Sequence, residues 1–212
     1  MQRGLKARVA HPAPPTRQRA SAELATRALD WPRTLVARGA GALEPGHLRH
    51  QRAPVPGSVL HCFVLDASAS MVAGGRLAQA KGLLLHLLRE AYLRRESVAL
   101  ICFGAGRVEL RLPPQRAPAW SEAWIAPIPG GGGTPLALAV ARAGDLLAAR
   151  PEAQRHLWLL TDGGSPASPA RPAAAEEAHI IDFEQRRVPL GRARALARAW
   201  GAGYRRLPAD GV

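Results

Sequence analysis

The sequence is short of cysteine, aromatics, lysine and long apolar runs, and each shortage excludes something. Cys62 and Cys102 are its two cysteines, set in separate apolar segments outside any CxxC pair, so neither a disulfide framework nor a structural zinc site is supported. Both read as buried thiols. No run of about 18 apolar residues and no charged, apolar and small-residue leader pattern occurs, so a cytoplasmic protein without a membrane span is expected. Aromatics make up 5% of the 212 residues and are not interleaved with the basic ones. The stacking platforms of nucleic-acid binders are therefore missing. No G-x-x-x-x-G-K-[ST] phosphate cradle is found, so ATP hydrolysis is not expected. No Ser/His/Asp or Cys/His nucleophile constellation can be assembled either.

What is abundant is arginine, alanine, glycine and proline. Lys+Arg number 29 against 16 Asp+Glu, a net charge of 29 − 16 = +13, and every basic residue except Lys6 and Lys81 is arginine. That composition matches the coding bias of a GC-rich genome, so charge alone does not name a partner. Residues 1–20 combine Pro, Arg and small residues without apolar periodicity, which predicts a disordered basic tail. Ser21 can cap a short helix reaching about Leu29. Trp31 to Pro56, broken by Pro and Gly, reads as an irregular linker or an edge element. Residues 21–56 thus form a helix-and-linker segment ahead of one domain over 57–212.

In that domain strands and helices alternate. VLHCFVLD, SVALICFG, RHLWLLTD and AHIIDF are buried strands. RVELRL alternates like an edge strand stopped by LPP, and GYRRL is a last short strand. RLAQAKGLLLHLLREAYLRR places Leu77, Leu84, Leu88 and Tyr92 along one helical face. LALAVARAGDLLAA and LGRARALARAW are further helices, and Trp120 and Trp124 stand at (i, i+4) in a short one. This order predicts an α/β, Rossmann-like, doubly wound and mostly parallel sheet flanked by helices. Ligands of such sheets lie at the carboxyl ends of the strands, which directs attention to the loops after Leu65, before Pro135 and after Thr161.

Those loops hold a recurrent type of atom. Asp66, Ser68 and Ser70 follow the first strand, Thr134 follows the glycine run Gly130 to Gly133, and Asp162 ends a neighbouring strand. Two carboxylates and three hydroxyls are hard oxygen donors, suited to Mg²⁺ or Mn²⁺ and poor for zinc or copper. A position left open on the ion would accept an acidic group of a partner. The alternative is that Ser68 and Ser70 cap the next helix and Asp162 closes a turn. His86 reads as a core histidine, and His61 and His156 fall in strands without a Cys or Asp partner at metal spacing.

D-x-S-x-S, a Gly-rich loop ending in Thr, and T-D-G, in that order, resemble the metal-ion-dependent adhesion site of von Willebrand factor A domains. The resemblance implies metal-site roles for Asp66, Ser68, Ser70, Thr134 and Asp162. It narrows through Arg76 to Gly82, Tyr92 with Arg95, Val98 to Phe103, Leu112 to Pro114 and Gly131 to Leu136, which are similar to the carboxyl-terminal A domain of the D-type subunit of magnesium chelatase. Two positions depart from the pattern: Ala69 stands where the family usually has glycine, and Gly164 where the subfamily usually has arginine. A glycine-demanding φ at Ala69 would strain the loop.

The resemblance implies a stand-alone, non-catalytic Mg²⁺-binding adaptor without activity of its own. Its partners would be a chelatase I-type AAA+ ATPase and a large chelatase subunit inserting cobalt or magnesium into a tetrapyrrole, for cobalamin or chlorophyll, with a lean towards cobalt. Arg76 and Lys81, early on the helix after the metal loop, are candidates to face an acidic partner or its phosphates, the alternative being a solvated face. Other readings are an A-domain partner of a general AAA+ chaperone, or a basic nucleic-acid-binding protein.

Overall fold

The computed structural model describes residues 29, 31–39, 41–49, 55–118 and 134–207. The expected tail 1–20, the helix expected from Ser21, the Trp120–Trp124 helix and the Gly130–Gly133 loop lie outside them, except for Leu29. Two compact units result, Met1–Pro54 and Val55–Val212. In the first, helix α1 spans Trp31–Arg38, where the sequence predicts an irregular linker. Pro32 falls in its first turn, where the missing N–H costs nothing, and Gly39 at φ +59 closes it. The Arg49 N–H donates to Oγ1 of buried Thr34 at 2.9 Å, which ties the chain after a 3₁₀ turn, Pro45–His47, back to the helix.

The second unit runs β1 (Val55–Asp66), α2 (Ala69–Val72), α3 (Arg76–Leu93), β2 (Ser97–Gly104), β3 (Arg107–Arg116), α4 (Leu136–Ala148), β4 (Glu152–Thr161), β5 (Glu177–Asp182), α5 (Arg192–Trp200) and β6 (Gly203–Arg206). The sheet order is β3-β2-β1-β4-β5-β6. Only β3 is antiparallel to its neighbour; the other pairs are parallel. This is the doubly wound, mostly parallel architecture that the alternation predicts. The chain builds outward from β1 to β3 and then crosses to β4 on the opposite side of β1. Strand order therefore reverses between β1 and β4, and a crevice opens there at the carboxyl ends.

Alternate strand residues face opposite sides, and each side is covered. Cys62, Val64, Ile101, Leu157, Leu159 and Ile180 pack under α4 and α5, while Phe63, Leu65, Leu100, Cys102, Leu160 and Ile181 belong to the cluster that contains α3. The two cysteines are free and buried, one on each face, and burial pushes both thiols up to about 12. Among the described residues no helix is long and apolar enough to cross a membrane.

Three local expectations are corrected. The α3 stripe is Leu77, Ala80, Leu84, Leu88 and Ala91, so Tyr92 is 45% exposed: one residue past Ala91 turns the helix by about 100°. His86 is likewise exposed, two residues past Leu84 and off the stripe. Pro113 and Pro114 do not stop β3, which continues to Arg116. As an edge strand it has an open side that requires no N–H, and its register with β2 shifts around these residues.

Candidate metal centre

The crevice is lined by the ends of β1 and β4. Asp66 is the last residue of β1 and Asp162 follows the last residue of β4; both are fully buried. Each folds its loop by the same device, a carboxylate oxygen accepting the N–H two residues on. Asp66 Oδ1 accepts from Ser68 at 2.9 Å and Asp162 Oδ1 from Gly164 at 2.9 Å. The second Asp66 oxygen accepts the Thr161 hydroxyl at 2.7 Å, and Thr161 Oγ1 in turn accepts the Gly163 N–H at 3.1 Å. One threonine thus locks the two strand ends together. Asp182 at the end of β5 makes a third such turn with Glu184, but the Tyr204 hydroxyl at 2.7 Å takes its other oxygen. Burial first, and that bond to Asp182, push Tyr204 up to about 12. Asp182 is therefore committed to the fold.

The serine hydroxyls lie beside the carboxylates. Ser68 Oγ and Ser70 Oγ are 3.2 Å apart. Ser68 occupies the cap position of α2, yet its side chain makes no capping bond, so capping does not account for where the hydroxyls stand. A Cβ on Gly164 would lie 3.0 Å from both Asp162 Oδ1 and Ser70 Oγ. These two oxygens therefore flank one small space. Ala69 is the first residue of α2 and has no positive φ, so the alanine in place of glycine introduces no strain. The four positions Asp66, Ser68, Ser70 and Asp162 come together. Thr134 is tied by its backbone to the loop after Asp162: its carbonyl accepts the Ser165 hydroxyl at 3.5 Å, as well as the Leu136 N–H at 2.8 Å.

Electrostatics make this a site that lacks positive charge. Burial pushes the Asp66 carboxyl above its ordinary range, the bonds from Ser68 and Thr161 pull it down, and the Asp162 charge pushes it up again. A cation between the two carboxylates relieves both the desolvation and the repulsion. A guanidinium already responds to that demand. Arg76 Nη1 lies 3.3 Å from Asp162 Oδ2 and donates to the Ser70 carbonyl at 2.8 Å, with its side chain only 16% exposed. Its buried Nε has no hydrogen-bond partner among the described residues. Arg76 therefore points into the cluster. The Lys81 charge is felt at buried Cys102. Gly164, where the resemblance leads to the expectation of an arginine, receives Arg192 Nη1 on its carbonyl at 2.9 Å.

The residues fit a hard divalent ion on two grounds, the all-oxygen donor set and a buried pair of carboxylates already drawing a cation. Sequence reasoning did not find Thr161, the inward turn of Arg76, or Gly104. The Ala67 N–H donates to the Phe103 carbonyl at 2.7 Å, and a Cβ on Gly104 would lie 2.7 Å from the Ala67 carbonyl oxygen. The end of β2 is thus pressed against the loop that carries Asp66 and Ser68.

Residues 62–165 match the von Willebrand factor type A domain family. The chain is 39% identical over 200 residues to an uncharacterized protein of Mycobacterium tuberculosis, covering 82% of this chain and 31% of that one. It is 38% identical over 186 residues to the magnesium-chelatase 60 kDa subunit of Cereibacter sphaeroides, covering 78% of this chain and 33% of that subunit. The chain thus spans about a third of the length of these two relatives. Among solved structures, the conserved hypothetical protein BatB from Bacteroides thetaiotaomicron aligns with a TM-score of 0.57 at 21% identity, covering 71% of this chain and 90% of that one; at that identity the likeness is one of fold.

Proposed function

The chain carries a von Willebrand factor type A domain and is homologous to magnesium-chelatase subunits, and from that premise we propose that it is a non-catalytic, divalent-ion-dependent adaptor of a metal chelatase. It joins a chelatase I-type AAA+ ATPase to a large tetrapyrrole-binding subunit, with cobalt or magnesium as the ion inserted. The observation that carries this reading is the pair of fully buried carboxylates, Asp66 and Asp162, at the two strand ends that flank the switch point, with serine hydroxyls beside them. Asp66, Ser68, Ser70, Thr134 and Asp162 would hold Mg²⁺ or Mn²⁺. When bound, the ion supplies a hard Lewis-acid position that an acidic side chain of a partner completes.

The chain's own residues do the rest. Thr161 fixes Asp66 relative to the β4 end, so the two strand ends move as one body. The backbone N–H groups of Ser68 and Gly164 each occupy one lone pair of Asp66 and Asp162 and orient the carboxylates, leaving further lone pairs for an ion. Arg76 pairs with Asp162 and holds the Ser70 carbonyl, and its guanidinium would be a second group able to meet an acidic partner.

The test is a pull-down with the tagged full chain from its native cells at moderate salt, run with Mg²⁺ and with EDTA and read by mass spectrometry. An AAA+ ATPase and a large chelatase subunit are expected with Mg²⁺ only, and the identity of the large subunit decides between cobalt and magnesium. Recovery of the same proteins regardless of chelator, or of nucleic acid in a salt-sensitive manner, would overturn the adaptor reading.

A further inference from the structure

A second group of ligating side chains lies towards the other end of the sheet. Strand β4 pairs with β5 so that His156 lies beside Glu177 and Trp158 beside His179. Glu177 and His179 are two residues apart and share a face, and His156 reaches the same face from the neighbouring strand. Glu177 Oε2 is 3.3 Å from His179 Nε2 and 3.9 Å from His156 Nε2. All three ligand atoms lie within 4.8 Å of one another. Metal–ligand bonds of about 2.0–2.1 Å in a tetrahedron require ligand atoms roughly 3.3 Å apart. One pair already has that spacing. Glu177, with its side chain 59% exposed, can shorten its 3.9 Å separation from His156 by a change of rotamer.

The surroundings hold these groups in place. The Trp158 ring stacks on His179 with centroids 4.1 Å apart and planes 21° apart. A Cβ on Gly203 would lie 2.8 Å from His179 Nδ1, so β6 leaves out a side chain where that imidazole sits. The Trp158 indole N–H, which can only donate, gives its hydrogen to His61 Nδ1 at 3.1 Å. His61 therefore carries its proton on Nε2 and donates it to Glu96 Oε2 at 2.8 Å. With both nitrogens engaged, His61 forms a wall, edge-on to His156 at 5.1 Å.

We propose that His156, Glu177 and His179 form a second cation site that takes a borderline transition-metal ion of the Zn²⁺ or Co²⁺ kind and leaves a coordination position open. Two imidazoles and one carboxylate are a three-ligand set that suits such ions and suits Mg²⁺ poorly. The site is independent of the oxygen-donor centre. On β4, His156 precedes Asp162 by six residues, roughly 20 Å along an extended strand, and no side chain is shared.

The test is a Co²⁺ titration of the untagged full chain in excess Mg²⁺, which saturates the oxygen-donor centre, read by the visible d–d absorption of the bound ion. One Co²⁺ per chain, displaced by Zn²⁺, is expected. His179→Ala and His156→Ala are each expected to weaken binding at least ~10-fold, whereas Asp162→Asn leaves it unchanged. Glu177→Gln, on an exposed side chain, provides a variant that folds even where a histidine replacement does not, and is expected to weaken binding as well. Absence of stoichiometric Co²⁺, binding undiminished in His156→Ala, His179→Ala and Glu177→Gln, or binding lost in Asp162→Asn would each overturn the proposal.

Discussion

Replacing Gly104 by alanine is expected to destabilise the domain and to abolish divalent-ion binding, although residue 104 is not one of the five metal-site positions. The new Cβ would stand 2.7 Å from the Ala67 carbonyl oxygen and 2.8 Å from its carbonyl carbon. Both are backbone atoms, so no side-chain rotation relieves the clash. Either β2 withdraws from β1 or the loop is pushed away from the sheet. The first breaks the Ala67–Phe103 hydrogen bond of 2.7 Å, and the second moves Ser68 and the Asp66 carboxylate that holds its N–H. Overpacking of this kind costs about 2 kcal/mol, or roughly 4–8 °C in Tm for a chain of this size. Thermal unfolding by circular dichroism reads the first effect and Mn²⁺ titration the second. A variant with unchanged Tm and unchanged Mn²⁺ affinity would show that the loop is not pinned by β2.

Removing the Arg76 guanidinium is expected to act in the opposite direction on the same ion. In Arg76→Ala, Asp162 loses the cation 3.3 Å from its Oδ2, and an entering ion no longer has to displace it. The pair is mostly buried, so its attraction is screened less than at the surface. A gain of about 1.4 kcal/mol, tenfold in Mn²⁺ affinity, is expected. On the proposed adaptor role the same variant is also expected to bind partners less well, because the guanidinium would be one of the groups that meet them. Titration calorimetry with Mn²⁺ and the pull-down read the two effects separately. Weaker ion binding in Arg76→Ala would mean that its bond to the Ser70 carbonyl, at 2.8 Å, matters more for ordering the loop than its charge does for excluding the ion.

Features written in local pattern are legible in the sequence. Continuous apolar runs mark β1, β2 and β4, and the oxygen-bearing residues follow them directly, so the architecture and the crevice were both readable. Features set by strand neighbours were not. His156, Glu177 and His179 meet through the β4–β5 register, and no spacing within one segment reveals a cluster shared between two strands. Gly104 is in the same position: its meaning comes from Ala67, in the loop after β1, which it meets only after folding. Pro113 and Pro114 look like a stop until β3 proves to be an edge strand. Arg76 looks solvated until the buried charge of Asp162 turns it inward.

A hard divalent ion is expected in the crevice between β1 and β4, held by Asp66, Asp162 and their neighbouring hydroxyls. Electron paramagnetic resonance of Mn²⁺ added to the full chain, with and without excess Mg²⁺, tests it most directly. One Mg²⁺-displaceable Mn²⁺ per chain is expected in the native protein and none in Asp162→Asn, an isosteric change that removes the charge and keeps the fold. Undiminished Mg²⁺-displaceable binding in Asp162→Asn, or none in the native protein, would contradict the account.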